Sequence, residues 1–298
     1  MTATTETTGA DNLKGSGFMM ISMAAFVVND ALMKSLSGEV PLFQAIFIRG
    51  LFATALVGAF AIWRGVARLS ALAPADRKVT AVRVIVEIGT TTCFLTALFN
   101  MPIANATAIL QSTPLALTLI AAVVLREQVG WRRWSAVFAG FFGVMLIVRP
   151  GAEGFNDAAL WALAAVGFIC VRDLATKRLS PATPSLFITL LTAISITGLG
   201  AAVTMTRTWE PVATSSVAIM GLSACFLFVG YLFSVMTMRV GEMAFVSPFR
   251  YSILIWAILL GYFVFGDLPD ALTMLGVAIV AGAGLYTFLR ERKVAARR

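Results

Sequence analysis

An all-α integral membrane protein of ten transmembrane helices is the fold class this sequence predicts, and three observations predict it. Of the 298 residues, 59% are apolar and 13% charged, with a mean hydropathy of +0.89; soluble domains run at roughly 45–50% and about 25%. The apolar residues fall into ten stretches of the length, about 20 residues, that crosses a bilayer as a helix. Basic residues gather at alternate ends of those stretches, as retention of Lys and Arg on the cytoplasmic side requires.

The stretches run over approximately 16–37, 41–63, 80–100, 104–125, 131–149, 157–176, 185–206, 214–237, 243–265 and 271–289. Residues 1–13 are Thr-rich without the basic start of a signal peptide, so 1–15 read as a disordered tail. Lys14 precedes the first stretch, and Arg64, Arg68, Arg77, Lys78 and Arg83 flank the end of the second and the start of the third. Arg126, Arg132 and Arg133 flank the end of the fourth and the start of the fifth, Lys177 and Arg178 follow the sixth, and Arg239 follows the eighth. Arg290, Arg292, Lys293, Arg297 and Arg298 follow the tenth. These seventeen face one side, and Lys34, Arg149 and Arg207 the other, which places both termini in the cytoplasm of a bacterial cell, at its inner membrane.

Histidine is absent, and Cys93, Cys170 and Cys225 lie inside apolar runs as small hydrophobes. No disulfide framework, metal site or cofactor is expected. The net charge of +8 is spread between hydrophobic segments instead of forming a stripe, so the partner it implies is the lipid bilayer and not nucleic acid. The spacings Ala136/Gly140, Ala139/Gly143 and Ala278/Gly282 offer small faces for close helix contact, within a monomer or across a homodimer.

A repeat divides the chain. Asp30, Lys34, Leu36, Ser37 and Pro41 recur at one offset, 143 residues, as Asp173, Lys177, Leu179, Ser180 and Pro184. Leu125-Arg126-Glu127-Gln128-Val129 stands near the end of the first half as Phe265-Gly266-Asp267-Leu268-Pro269 stands near the end of the second. Residues 16–150 and 151–298 are thus two five-helix halves. Five is odd, so the halves cross in opposite senses and the repeat is inverted, an arrangement that places substrate near the midplane for alternating access.

On these halves, on Ala104-Asn105-Ala106-Thr107-Ala108 leading to Thr113-Pro114, and on Leu125 to Gly130 with Gly140, Gly143 and Arg149-Pro150-Gly151, the chain resembles the drug/metabolite transporter superfamily, EamA-type. Ser247-Pro248-Phe249-Arg250-Tyr251 and Gly266-Asp267 carry the resemblance in the second half, with Asp267 where the family more often shows Glu. The resemblance implies a carrier of small metabolites. The pattern is similar to bacterial amino-acid exporters of the YddG type, which implies amino acids as cargo and a central cavity.

An ionisable side chain at membrane depth costs roughly 2.5–3.5 kcal/mol on insertion scales and so needs a partner or a watered cavity. Asp30, Lys34, Arg49, Glu87, Arg172, Asp173 and Arg250 are such residues. Counting from the helix starts puts Glu87 and Arg250 at one level, with Arg172 and Asp173 close to it, and Asp30 and Arg49 at a second level. Glu87 and Arg250 are expected to find their partners on other helices or in the cavity. Together they could receive the ammonium and carboxylate of a zwitterion. Asn29, Asn100, Tyr231, Ser247 and Tyr251 are the neutral groups expected to orient the ligand, and Asn105 and Gln111 are expected to bond between helices. Asp30, Arg49 and Asp173 are expected to form structural pairs or to couple protons, with Asp30–Lys34 and Asp173–Lys177 as pairs along one helix. Trp161, Phe226, Phe228 and the other aromatics are expected to face lipid or core.

No HExxH, Cys/His pair or acidic loop cluster supports an enzyme, and rings of charge for a channel are missing. A secondary transporter remains.

Overall fold

The fold is that of a computed structural model, which describes residues 9–68, 72–124, 126, 130–149, 157–180 and 183–295. Ten helical segments among them are long and apolar enough to cross a membrane, and no strand occurs among the described residues. The elements are α1 (Gly9–Lys34), α2 (Leu42–Trp63), α3 (Arg77–Asn100), α4 (Ile103–Leu110), α5 (Thr113–Val123) and α6 (Trp131–Val148). Then come α7 (Ala158–Lys177), α8 (Ser185–Met205), α9 (Thr214–Val240), α10 (Met243–Val246), α11 (Ser252–Phe265) and α12 (Ala271–Ala295). Of the sequence motifs, Leu125, Glu127, Gln128, Val129, Pro150 and Gly151 lie outside the described residues, as do Arg297 and Arg298.

Proline sets three helix starts. Pro41, Pro102 and Pro184 stand directly before α2, α4 and α8 with ψ of 136°, 138° and 128°, where a missing N–H costs nothing. Proline also breaks two spans. Pro114 cannot donate to the Leu110 carbonyl, and the Thr113 hydroxyl donates to it instead at 2.6 Å, so the fourth span divides into α4 and α5 around Gln111–Ser112. In the ninth span Pro248 lies in a 3-10 turn, Ser247–Tyr251, between α10 and α11. Gly266, at φ +70°, ends α11 with its N–H on the Tyr262 carbonyl and that of Asp267 on the Gly261 carbonyl.

The start of the chain departs from expectation. Residues 9–15 are helical instead of part of a disordered tail, because Asn12 Oδ1 accepts the Glu242 N–H at 2.8 Å and Gly15 packs on Gly241.

The main helix pairings all join the first half to the second: α1 with α9, α2 with α8, α3 with α7, α4 with α11 and α6 with α12. Each of three pairs is antiparallel, as residues along it show. Down α1 and α9, Ser223 donates to Asn29 at 2.7 Å and Ser22 to the Gly230 carbonyl at 2.7 Å before Gly15 meets Gly241. On α2 and α8, Gly200 lies against Phe47, the Thr54 and Thr197 hydroxyls bond at 3.0 Å, and Leu190 packs with Val57. On α6 and α12, a Cβ at Gly143 would come within 2.9 Å of the Gly276 carbonyl oxygen, and one at Gly276 within 2.7 Å of that of Gly143. Small residues permit this approach. Gly140 likewise packs on Leu115 and Ala283, but Gly282 meets nothing within 4 Å, so the Ala278/Gly282 face is not a contact inside the chain.

Two buried apolar clusters flank the centre, one around Ile109, Val144, Cys170 and Val280, the other around Val27, Leu36, Ile46, Leu98 and Ile103. Cys93 and Cys170 are buried as expected; Cys225 is exposed.

Candidate functional site

Between the halves lies a cavity of about 330 Å3 whose wall takes residues from α1, α2, α3, α7, α8 and α9 and from the Ser247–Tyr251 turn. Five charged residues singled out in the sequence line it: Asp30, Arg49, Glu87, Arg172 and Arg250. Asn29 and Tyr231 line it too.

At one end Asn29 organises the charges. Its Nδ2 donates to Asp30 Oδ1 at 2.8 Å, and its Oδ1 accepts from Ser223 Oγ at 2.7 Å and from Arg49 at 3.4 Å. Asp30 and Arg49, from adjacent helices, thus meet through an amide, and each lies within electrostatic reach of the other. The predicted intrahelical pair is absent: Lys34 turns away from Asp30 and donates to the carbonyls of Met101 at 2.7 Å and Leu98 at 3.3 Å. Those carbonyls end α3, and a helix C-terminus favours a cation.

At the other end Arg172 reaches Glu87 Oε1 at 3.5 Å and Asp173 Oδ1 at 2.9 Å. Arg172, one residue before it, displaces Lys177 as the partner of Asp173. Glu87 is only 8% exposed, and its second oxygen, Oε2, is buried with no hydrogen-bond partner. Burying such an atom unpaired costs several kcal/mol, which a bound cation would offset. Arg250 makes no hydrogen bond or ion pair among the described residues and is an exposed residue of the cavity lining. Glu87 and Arg250 do not pair with each other; Arg172 supplies the interhelical partner of Glu87.

Four predicted residues stand off the wall. Asn100 lies at the end of α3, where it donates to the Thr96 carbonyl at 2.8 Å. Tyr251 turns toward α12, its hydroxyl over Gly284, while Ser247 and Asp173 are not among the lining residues. The 3-10 turn explains this: Arg250 faces the cavity, and Tyr251, one residue on, is rotated by about 120°. Asn105 is likewise off this wall, in a smaller pocket with Arg149, Asp267 and Asp270. The sequence reading passed over Thr90, Thr91, Thr189 and Thr192, as well as Ser223 behind the wall, and it put Phe228 in lipid or core. The run Thr90-Thr91-Thr92 inside an apolar helix was the available signal. Phe228 carried none, since a cavity aromatic and a lipid-facing one look alike in sequence.

A bundle of apolar spans around a cavity lined by charged side chains is the arrangement of a polytopic membrane carrier. Residues 13–149 match the EamA-like transporter family, the family type that the sequence resembles. It is 26% identical to an S-adenosylmethionine uptake transporter of Rickettsia felis over 96% of each chain. It is 24% identical to one of Rickettsia prowazekii over 94% of each, and 30% identical to a riboflavin transporter of Vibrio cholerae over 61% of each. A solved crystal structure superposes on 93% of this chain and 98% of its own with a TM-score of 0.63 at 20% identity, a likeness of fold alone. The protein is a multi-pass transporter of small metabolites, not an enzyme.

Proposed function

We propose that this chain carries a zwitterionic, ring-bearing metabolite of the S-adenosylmethionine kind across a bacterial inner membrane, by alternating access between two inverted halves. The observation that carries the reading is Glu87 Oε2, buried and unpartnered on the wall of a cavity that also presents Arg250. The carboxylate would take the substrate's ammonium and the guanidinium fork its carboxylate, each by a charge-assisted bond. Phe26, Phe94, Phe228 and Tyr231 offer faces for a flat ring, which a simple amino acid lacks.

The near-full-length relatives, S-adenosylmethionine uptake transporters by name, support this substrate and uptake; they lend no support to amino-acid export. S-adenosylmethionine has the α-carboxylate and α-ammonium of an amino acid, so it suits the same two charged side chains. Riboflavin, named for relatives matched over a shorter stretch, has no such pair.

Inversion is supported by equivalent helices lying antiparallel and by contacts that recur with the halves exchanged. Thr54 bonds Thr197, its own counterpart at the 143-residue offset. Gly89 lies under the ring of Phe168 as Gly230 lies under that of Phe26. The bias of basic residues supports cytoplasmic termini.

Counterflow in liposomes is the test. Labelled S-adenosylmethionine should enter vesicles preloaded with the unlabelled compound and should be displaced poorly by leucine or riboflavin. Equal or better exchange of plain amino acids would return the reading to an amino-acid carrier, and non-saturable flux without trans-stimulation would make it a channel.

A further inference from the structure

The repeated motif has a use that substrate binding leaves unexplained. Its two copies stand at opposite ends of the bundle: Lys34 and Ser37 at the C-terminal end of α3, Lys177 and Ser180 by Asp76 at its N-terminal end. At the first end the motif is engaged. Lys34 Nζ donates to Leu98 O and Met101 O, and Ser37 Oγ donates to Phe99 O at 2.8 Å, so two side chains of one motif hold the last carbonyls of α3. The Lys34 ammonium also lies 5.4 Å above the Phe265 ring.

At the second end the same residues are disengaged. Lys177 is exposed and makes no hydrogen bond or ion pair among the described residues. Ser180 is held away by Asp76, which accepts its Oγ at 2.7 Å and its N–H at 3.3 Å, together with Thr183 Oγ1 at 2.6 Å. The helix that corresponds to α3 is α9. Both end in extended backbone, at Met101 (ψ 162°) and at Gly241 (ψ 152°), so the last carbonyls of α9, at Arg239–Gly241, stand where those of α3 stand in the first half.

We propose that the two copies are alternate latches: Lys34 and Ser37 close one end of the cavity in the state described here, and Lys177 and Ser180 close the other by capping the end of α9 when the carrier turns over. The inference rests on the reading of the chain as an alternating-access carrier with inverted halves. Asp76 acts as the opposing catch, keeping Ser180 off α9 while the first latch is made. Each latch joins a cation to the negative end of a helix dipole, so it needs no fixed acid and can form at either end.

Hydrogen exchange on the full chain in liposomes, with S-adenosylmethionine counterflow measured in the same vesicles, tests this. Lys34→Met should raise amide exchange about tenfold over residues 33–46 and 96–104, as expected for losing hydrogen bonds from a charged donor. At the same time it should lower exchange over 176–180 and 236–242, since weakening one latch favours the other. Ser37→Ala should shift both ends the same way by less, and Lys34→Arg should restore the parent pattern. Lys177→Met should leave the resting pattern unchanged but slow counterflow about tenfold, because only the other state would miss it. A purely structural Lys34 would raise exchange at both ends together, and that result would overturn the latch. So would a Lys177→Met protein that exchanges substrate like the parent. Absence of counterflow in the parent itself would instead remove the carrier reading beneath the proposal.

Discussion

At the Lys34 end of the bundle Met33, Leu36, Ile46, Leu98 and Ile103 are fully buried, and side chains from the α1–α2 link clasp the end of α3. At the Lys177 end Leu179, the counterpart of Leu36, is only partly covered, Lys177 and Arg178 are exposed, and Tyr231 on the cavity wall is 44% exposed. One motif thus sits in two environments. The difference shows that its residues do not determine closure alone; the partners offered by α3, α9 and Asp76 do. A chain whose halves were fixed in these roles would have no need of the same five residues at both ends.

The largest expected effect separates the ends by stability. Leu36→Ala empties a fully buried site and should cost about 2–5 kcal/mol, whereas Leu179→Ala should cost about 1 kcal/mol or less. Thermal unfolding in one detergent reads both. Equal losses would erase the distinction between a sealed and an open end.

Next is the cavity itself. Glu87→Gln should weaken S-adenosylmethionine binding by about ten- to a hundredfold, the worth of a hydrogen bond to a charged group. Asp173→Asn, off the cavity wall, should change affinity by about threefold or less while loosening Arg172. Isothermal titration on folded variants measures both, and a reversed order would move the ligand to the other face of α7.

Which side of the membrane each end meets can be settled independently. Tags after Arg68 and Arg178 should be accessible from one side, and tags after Arg207 and Asp270 from the other. All four reporting together would break the ten-span arrangement on which the comparison stands.

The smallest effect concerns a clasp at the sealed end, where Arg149 and Thr273 hydrogen-bond Asp270. Arg149 above all holds the Asp270 carboxyl well below the usual carboxylate range. A depressed folded value contributes stability above the unfolded value, near 4, and loses it as pH falls further toward the folded one. The pair is solvent-exposed, so screening leaves at most about 1 kcal/mol. Asp270→Asn should therefore flatten the dependence of unfolding temperature on pH below about 4 by only a degree or two. A larger change would mean that the clasp bears part of the seal.

How far the sequence revealed this molecule depends on the physics behind each feature. The ten spans are legible because hydrocarbon admits little else, and Asp30, Arg49, Glu87, Arg172 and Arg250 are legible because charge at that depth must face a cavity or a partner. Which way a helix is turned is not. With lipid as apolar as the core, a spanning helix need not display one apolar stripe, so Tyr251 and Arg250 could not be assigned to different faces. Partners were hidden for the same reason: Arg172 for Glu87 and Asn29 for Arg49 join different helices, while neighbour rules along one helix favoured Lys34 and Lys177. The Lys34 and Ser37 bonds to α3 involve backbone carbonyls, which no residue type announces.

The most direct test of two ends closing in turn is to measure both at once. Spin labels at Ser35 and Asn100 would span the sealed end and labels at Arg178 and Arg239 the open end, all exposed positions, in proteins whose exposed Cys225 is replaced by Ser. On adding S-adenosylmethionine in liposomes, double electron–electron resonance should show a longer population growing for the first pair as a shorter one grows for the second, in matching proportion. If transport proceeds while the two distances change together, or while neither changes, the account of one cavity with two alternately closed ends is contradicted.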